Sequence, residues 1–161
     1  MSRLRAAVSC LALILAAGTL TAVPTPADPM PTELVQEQGD VPITDPALSQ
    51  AIRAIISDQM AAFRRDDAAA AFSDASPFIQ ARFQRPDIFL QMVRSGYAPV
   101  YRPHEVEFRE LVQAPGGLEQ RVFVIGPDGR AYLAHYQMQR QADGSWKING
   151  CTLEPLGDQS T

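Results

Sequence analysis

The sequence is poor in the side chains that bind metals or cross-link chains. Its 161 residues include two cysteines, Cys10 and Cys151, and two histidines, His104 and His135. A zinc site needs three or four clustered Cys, His or carboxylate ligands, so we expect no metal site. Cys10 lies in an apolar N-terminal run that we expect to be removed, which leaves Cys151 with no partner for an internal disulfide. We expect Cys151 to be buried and inert, as unpaired cysteines usually are.

Motifs that mark common cofactor and nucleophile sites are missing as well. Pro115-Gly116-Gly117 is not followed by a helical pattern, so it predicts a turn rather than a phosphate-binding loop. No Gly-x-Ser-x-Gly motif, the mark of a serine nucleophile, occurs either. We expect no cofactor. The 18 acidic residues outnumber the 14 basic ones, and both are dispersed. This charge pattern argues against nucleic acid or anionic lipid as a partner.

The first 22 residues have the layout of a cleavable signal peptide. Arg3 and Arg5 precede an uncharged, mostly apolar run over residues 6–20. The run is short for a bilayer-spanning helix, and small residues and prolines follow it. We predict a periplasmic or secreted protein with no stable membrane anchor, and an uncleaved anchor is the alternative. Cleavage after Ala22 and cleavage after Ala27 both fit the pattern.

The rest of the chain divides into a linker, one domain and a tail. Residues 23–45 hold five prolines, which predict an extended linker. The folded domain is predicted over residues 46–155, and a polar tail over residues 156–161. Removal of the signal peptide takes away both N-terminal arginines, so the formal charge of the mature protein falls from −4 to −6.

Helix signals dominate the first half of the domain. Asp45 and Pro46 suit an N-cap and the first helical position, and apolar residues then recur at three- and four-residue steps as far as Phe63. Shorter helices are predicted after Ser76-Pro77 and after Arg85-Pro86. The second of these ends at Gly96, in the usual position for a helix stop.

Strand signals dominate the second half. Extended chain is predicted over residues 97–112, and further strands over residues 118–125, 130–141 and 146–153, separated by glycine-containing turns. The pattern predicts an α+β domain in which N-terminal helices pack on a curved antiparallel sheet of about four strands. The predicted main core consists of Leu48, Ile52, Phe63, Phe89, Val106, Phe108, Val124, Tyr136, Trp146 and Ile148.

Four phrases in the sequence resemble a known family. They are DQMAAFRRDD (58–67), AFSDASP (71–77), MVRSGY (92–97) and GSWKINGC (144–151). With these four segments in this order, the sequence resembles a bacterial family called domain of unknown function 4864. More broadly, it resembles the nuclear-transport-factor-2-like superfamily, whose fold is a cone of helices on a strongly bent sheet. The resemblance implies a cavity inside the cone and implies no particular activity, since this fold hosts enzymes and binding modules alike.

Candidate site residues follow from the expected cavity. Enzymes and binding proteins on this cone carry polar side chains at its open end, and Tyr97, Tyr101, His104 and Tyr136 are the candidates for ligand binding. An exposed loop position is the alternative for His104, and no catalytic residue is predicted. Asp66-Asp67 predicts a solvated corner between helices rather than a paired-carboxylate site, because Asp favours caps and turns.

The leading hypothesis is a non-enzymatic exported module that binds a small apolar molecule or a protein partner. The alternative is a small cofactor-free lyase or isomerase that acts on a small apolar ligand in the cavity. A third hypothesis is a homodimer formed through the outer face of the sheet, because apolar residues such as Phe123 and Leu133 occupy the strand positions opposite to the core. A β-bulge near Gly126 or Gly150 would explain the same pattern without a dimer.

Overall fold

The helices and strands follow one another in two blocks. A computed structural model describes residues 40–157, so the predicted signal peptide, most of the linker and the end of the tail lie outside the described residues. The described elements are β1 (Val41–Pro42), α1 (Pro46–Arg64), α2 (Ala68–Ser73), α3 (Pro77–Phe83), α4 (Pro86–Gly96), α5 (Ala98–Tyr101), β2 (Glu105–Ala114), β3 (Gly117–Ile125), β4 (Ala131–Arg140) and β5 (Trp146–Pro155). The predicted α+β class is confirmed.

Helix starts coincide with side-chain caps. The Asp45 carboxylate accepts hydrogen bonds from the backbone N–H groups of Ala47 and Leu48, at 2.9 and 3.2 Å. Asp67 and Ser76 cap α2 and α3 in the same way. These bonds satisfy N–H groups that have no partner within the helix. The caps explain why short helices such as α2 begin where they do.

The chain over residues 97–101 was predicted to be extended, and this prediction is wrong. The Tyr97 carbonyl accepts hydrogen bonds from the N–H groups of Val100 and Tyr101, both at 3.0 Å, and this turn forms α5. Pro99 fits there because a first helical turn does not need its missing N–H. Val100 becomes buried in the core, which a two-residue alternation does not predict.

The sheet is antiparallel, with strand order β1-β2-β3-β4-β5, and therefore has five strands rather than about four. The additional strand β1 lies in the proline-rich stretch that composition predicts to be linker. It pairs Val41 with Gln113 and Pro42 with Val112 at the edge of the sheet. An edge strand tolerates proline because one side of it needs no ladder hydrogen bond.

A β-bulge near Gly150 is present in β5. Gln137 pairs with Gly150 and Met138 pairs with Ile148, so Asn149 is an extra residue. The bulge shifts the alternation by one residue, so Ile148, Cys151 and Leu153 all face the helices. Between β3 and β4 the register runs unbroken to Ile125, so that pair of strands has no bulge at Gly126.

A second bulge lies in β2. Phe108 pairs with Val122 while Leu111 pairs with Gln120, which leaves one unmatched residue in β2. The buried Gln120 side chain fills the gap, and its Nε2 donates hydrogen bonds to the carbonyls of Arg109 and Glu110, at 2.9 and 3.3 Å. Bulges bend a sheet and increase its twist, so these two help to wrap the sheet around the helices.

The helices cover one face of the sheet and form two apolar clusters with it. One cluster joins α1 to the inner face of β2–β5, and the other joins α1, α2 and α4 around Phe63 and Phe89. Most of the predicted main core is buried. The four exceptions are half-buried and pack against the first cluster: Leu48, Val106, Phe108 and Trp146.

The junction between α2 and α3 covers the outer edge of β5. The Ile148 N–H donates to the Asp74 carbonyl at 2.9 Å, and the Ser76 N–H donates to the Ile148 carbonyl at 2.8 Å. The Ser76 hydroxyl also donates to Oδ1 of the bulge residue Asn149, at 2.7 Å. These bonds hold α3 beside the sheet and protect an edge that would otherwise be free to pair. Among residues 40–157, no helix is long and apolar enough to cross a membrane.

Candidate functional site

A cavity of about 520 Å³ lies between the helices and the inner face of β4 and β5. Aromatic rings form much of its wall: the Phe89 ring centre is 6.2 Å from that of Phe63 and 5.6 Å from that of Phe83. These rings come from α1, α3 and α4 and belong to one apolar cluster. Further apolar lining comes from Ile79, Met92, Val93, Val100 and Ile148.

Tyr136 and Cys151 lie at the sheet side of the cavity. They are directly paired across β4 and β5, and the Asn149 bulge turns Cys151 inward. The Tyr136 side chain is 1% exposed, and its hydroxyl has no hydrogen-bond partner among the described residues. Burial raises the pKa of Tyr136 well above its usual value. Cys151 as a whole is half-buried rather than fully buried as expected, and the loss of water around its thiol raises the pKa of that thiol to about 12. Both groups are therefore protonated at neutral pH.

Gln59 places an amide in an otherwise apolar wall. It lies on the buried stripe of α1 and is 3% exposed. Its Nε2 donates a hydrogen bond to the Ala71 carbonyl at 3.0 Å, which ties α1 to α2. Its Oε1 receives no hydrogen bond from a described residue, so this oxygen is free to accept one from a molecule in the cavity.

Arg82 lies at the exposed side of the cavity. It is in the last turn of α3, a helix with no fully buried residue. Its side chain is exposed, and within residues 40–157 no carboxylate forms an ion pair with it. The neighbouring Arg85, in contrast, is paired with Asp87 at 2.7 Å. The cavity thus combines an apolar interior with one cation at its mouth.

A family profile described as a domain of unknown function, DUF4864, matches residues 46–161. The match spans more than two thirds of the chain. The chain belongs to the DUF4864 family. The family resemblance seen in its sequence motifs is therefore confirmed. No curated protein and no solved structure matches the chain significantly.

Two of the four predicted ligand-binding residues of the DUF4864 domain line the cavity. Tyr136 is on its sheet side, and the half-buried Tyr97 is on its helical side, at the end of α4. His104 is exposed and precedes β2, where its backbone N–H donates to the Ile125 carbonyl at 2.8 Å. Neither His104 nor Tyr101 is among the cavity-lining residues.

Tyr101 belongs instead to a cluster of charged side chains on the surface. Its hydroxyl donates a hydrogen bond to Oδ1 of Asp66 and accepts one from Nε of Arg94 at 2.7 Å. Asp66 also forms ion pairs with Arg94 at 2.8 Å and with Arg102 at 3.0 Å. The Tyr101 hydroxyl and the two arginines lower the pKa of Asp66 to about 2. Asp66 thus fastens the corner between α1 and α2 to α4 and α5, and Asp67 caps α2.

The outer face of the sheet carries a second charged cluster. His135 lies there, on the face opposite to Tyr136 as the alternation predicts, and its ring nitrogens are 2.8 Å from Glu119 and 3.2 Å from Glu154. Phe123 is half-buried, and the guanidinium of Arg109 lies 5.3 Å from the centre of its ring. The apolar part of this face is therefore bordered by charges.

Among the cavity residues that carry a polar group or a thiol, sequence reasoning missed three: Gln59, Arg82 and Cys151. Only Gln59 had a usable signal, because it is a polar residue at a position where the α1 stripe requires an apolar one. The orientation of Cys151 depends on the bulge at Asn149, and the role of Arg82 depends on how α3 lies against β5. Both are consequences of tertiary contacts that a one-dimensional pattern does not contain.

Proposed function

We propose that this DUF4864 domain is an exported binding protein that holds a small, mostly apolar molecule in the cavity between its helices and its sheet. The observation that carries the proposal is a cavity of about 520 Å³ whose wall is mostly apolar and includes the buried side chain of Tyr136. Pockets that hold small molecules have volumes of about 300–1,000 Å³.

The chemistry of the wall favours binding over catalysis. A general base must have lost its proton near neutral pH, yet burial keeps both Tyr136 and the Cys151 thiol protonated. Among the described lining residues there is no carboxylate and no histidine. Apart from Arg82 at the mouth, the polar groups of the wall are neutral: the Tyr136 hydroxyl and the Cys151 thiol keep their protons, and the Gln59 amide oxygen can accept a hydrogen bond.

We further infer a nuclear-transport-factor-2-like cone as the architecture and export as the destination. The first is supported by the order of elements, by two bulges that bend the sheet, and by a cavity between the sheet and the helices. Export is supported by the charged N-terminus and the apolar run over residues 6–20. N-terminal sequencing of protein isolated from the periplasm would test export, and an intact Met1 on membrane-bound material would contradict it.

Titration with N-phenylnaphthylamine, a neutral fluorophore that brightens in apolar sites, tests the binding proposal. We expect saturable binding to the mature protein. Met92→Trp should weaken this binding at least tenfold, because Met92 lines the cavity and the larger side chain would fill it. Gln91→Trp is the matched control, since Gln91 is exposed on the same helix. Absence of saturable binding, or equal loss in both variants, would refute the proposal.

A further inference from the structure

The described residues that line the cavity carry a positive charge and no negative charge. The chain has more acidic than basic residues, 18 against 14, and yet Arg82 is the one charged residue among the described residues that line the cavity. A cation that faces an apolar cavity in an acidic protein attracts anions and disfavours cationic ligands. If the bound molecule carries a charge, that charge should therefore be negative.

The guanidinium of Arg82 is available to such a molecule. No ion pair joins it to a carboxylate within residues 40–157, whereas Arg85, Arg94 and Arg102 are all paired with aspartates. A basic residue in the last turn also interacts favourably with the helix dipole. The interaction with the helix dipole does not occupy the N–H groups of the planar guanidinium. They remain free to bind a carboxylate with two parallel hydrogen bonds.

The geometry points to an apolar monocarboxylate, held with its apolar body among the rings of Phe83 and Phe89 and its carboxylate at Arg82. This inference rests on the proposed function and names the class of ligand for the same cavity. The orientation follows from desolvation: a carboxylate loses much free energy when it is buried away from water without a partner. At the mouth the carboxylate keeps some water and gains a cation, while the body of the ligand removes apolar surface from water.

One cation favours a carboxylate over a phosphate monoester. A phosphate monoester carries close to two negative charges at neutral pH, and the described lining supplies only one positive charge to balance them. Arg94 and Arg102 cannot supply the second, because Asp66 already holds both.

Displacement of N-phenylnaphthylamine by matched ligand pairs tests the inference. The pairs are decanoate with decanol, and naphthylacetate with naphthylacetamide, each differing chiefly in the charged group. We expect each carboxylate to bind about tenfold more tightly than its neutral partner, which corresponds to one charge-assisted hydrogen bond. Arg82→Gln should abolish this preference, and Arg140→Gln should preserve it, because Arg140 is an exposed arginine outside the cavity lining.

The outcomes separate this inference from the proposed function. Equal affinity for the charged and neutral members of each pair, or a preference that survives Arg82→Gln, would overturn the assignment of a carboxylate while the fluorophore still binds. Failure of the fluorophore to bind at all would overturn the proposed function and this inference together. Inorganic phosphate should not displace the fluorophore, and displacement by phosphate below the concentration needed for decanoate would also contradict the carboxylate assignment.

Discussion

Removing the Tyr136 hydroxyl should stabilise the protein, although Tyr136 is one of its most buried side chains. The side chain is 1% exposed, and the hydroxyl has no hydrogen-bond partner among the described residues. In Tyr136→Phe the ring stays in the core and only the hydroxyl is lost. On folding, the hydroxyl loses its hydrogen bonds to water and gains at most an interaction with the Cys151 thiol, which is a weak hydrogen-bonding group.

The magnitude follows from that balance. Leaving a buried polar group unsatisfied costs about 1–3 kcal/mol, and phenylalanine does not incur this cost. Because part of the gain is offset by the small gap left behind, we expect the free energy of unfolding to rise by about 1 kcal/mol. For a domain of this size the urea midpoint should then increase by about 0.5 M, with the slope of the transition unchanged.

Urea melts of the purified domain, followed by fluorescence and by circular dichroism, measure this change. Tyr132→Phe is the matched control, because the Tyr132 hydroxyl donates a hydrogen bond to Asp128 at 2.7 Å. The control should lower the midpoint. A loss of more than about 1 kcal/mol in Tyr136→Phe would refute the reasoning, since it would mean that the hydroxyl has a partner in the folded protein. A double-mutant cycle with Cys151→Ala would then show whether that partner is the thiol.

Further predictions concern Cys151, Asp66, Gly126 and the outer face of the sheet. The pKa of the Cys151 thiol is raised to about 12 in the folded protein. The contribution of the protonated thiol to the free energy of unfolding is therefore complete below the unfolded pKa near 9 and is lost as pH rises toward 12. In urea melts from pH 8 to 11, wild type should lose more stability than Cys151→Ala. The pKa of Asp66 is lowered to about 2 in the folded protein. The ionised Asp66 carboxylate therefore stabilises the fold above the usual pKa of 3.8, and this contribution is lost as pH falls through about 2. In urea melts between pH 4 and pH 2, Asp66→Asn should lose less stability than wild type. Gly126→Ala should lower the urea midpoint, because its Cβ would lie 2.6 Å from a carboxylate oxygen and 3.2 Å from the Tyr132 ring, whereas Gly116→Ala has no contact closer than 3.9 Å and should be neutral. If the outer face mediates a homodimer, sedimentation at micromolar concentration should show a dimer that Phe123→Lys dissociates, and a monomer of the unmodified mature domain would remove the dimer hypothesis.

Local signals in the sequence predicted the helices and hairpins well. Asp45, Ser76 and the prolines that follow them mark helix starts because a cap needs only a few neighbouring residues. The tight turns at Gly129 and Gly144 were also predictable, since both glycines have positive φ, at 78° and 86°. These features depend on interactions within about four residues along the chain.

Features that depend on distant residues were not predictable in the same way. Strand β1 is only two residues long, and its pairing with β2 joins positions about 70 residues apart. Helix α5 forms where the two-residue alternation predicted extended chain, because burial of Val100 outweighs the local pattern. The cavity combines two predicted residues, Tyr97 and Tyr136, with others contributed by five separate elements. Composition and periodicity predict that such elements exist, and packing decides which side chains meet.

The bulge at Asn149 affects both the dimer hypothesis and the lining of the cavity. Apolar residues at both alternating positions of the last strand suggested two apolar faces and hence a dimer. The bulge directs Ile148 and Cys151 to the same inner face, so β5 no longer supplies apolar residues to the outer one. The dimer hypothesis then depends on a smaller group that includes Phe123 and Leu133, and the Arg109 guanidinium already covers the ring of Phe123. The bulge that removes apolar residues from the outer face also places Cys151 opposite Tyr136 on the inner face, where both residues line the sheet side of the cavity.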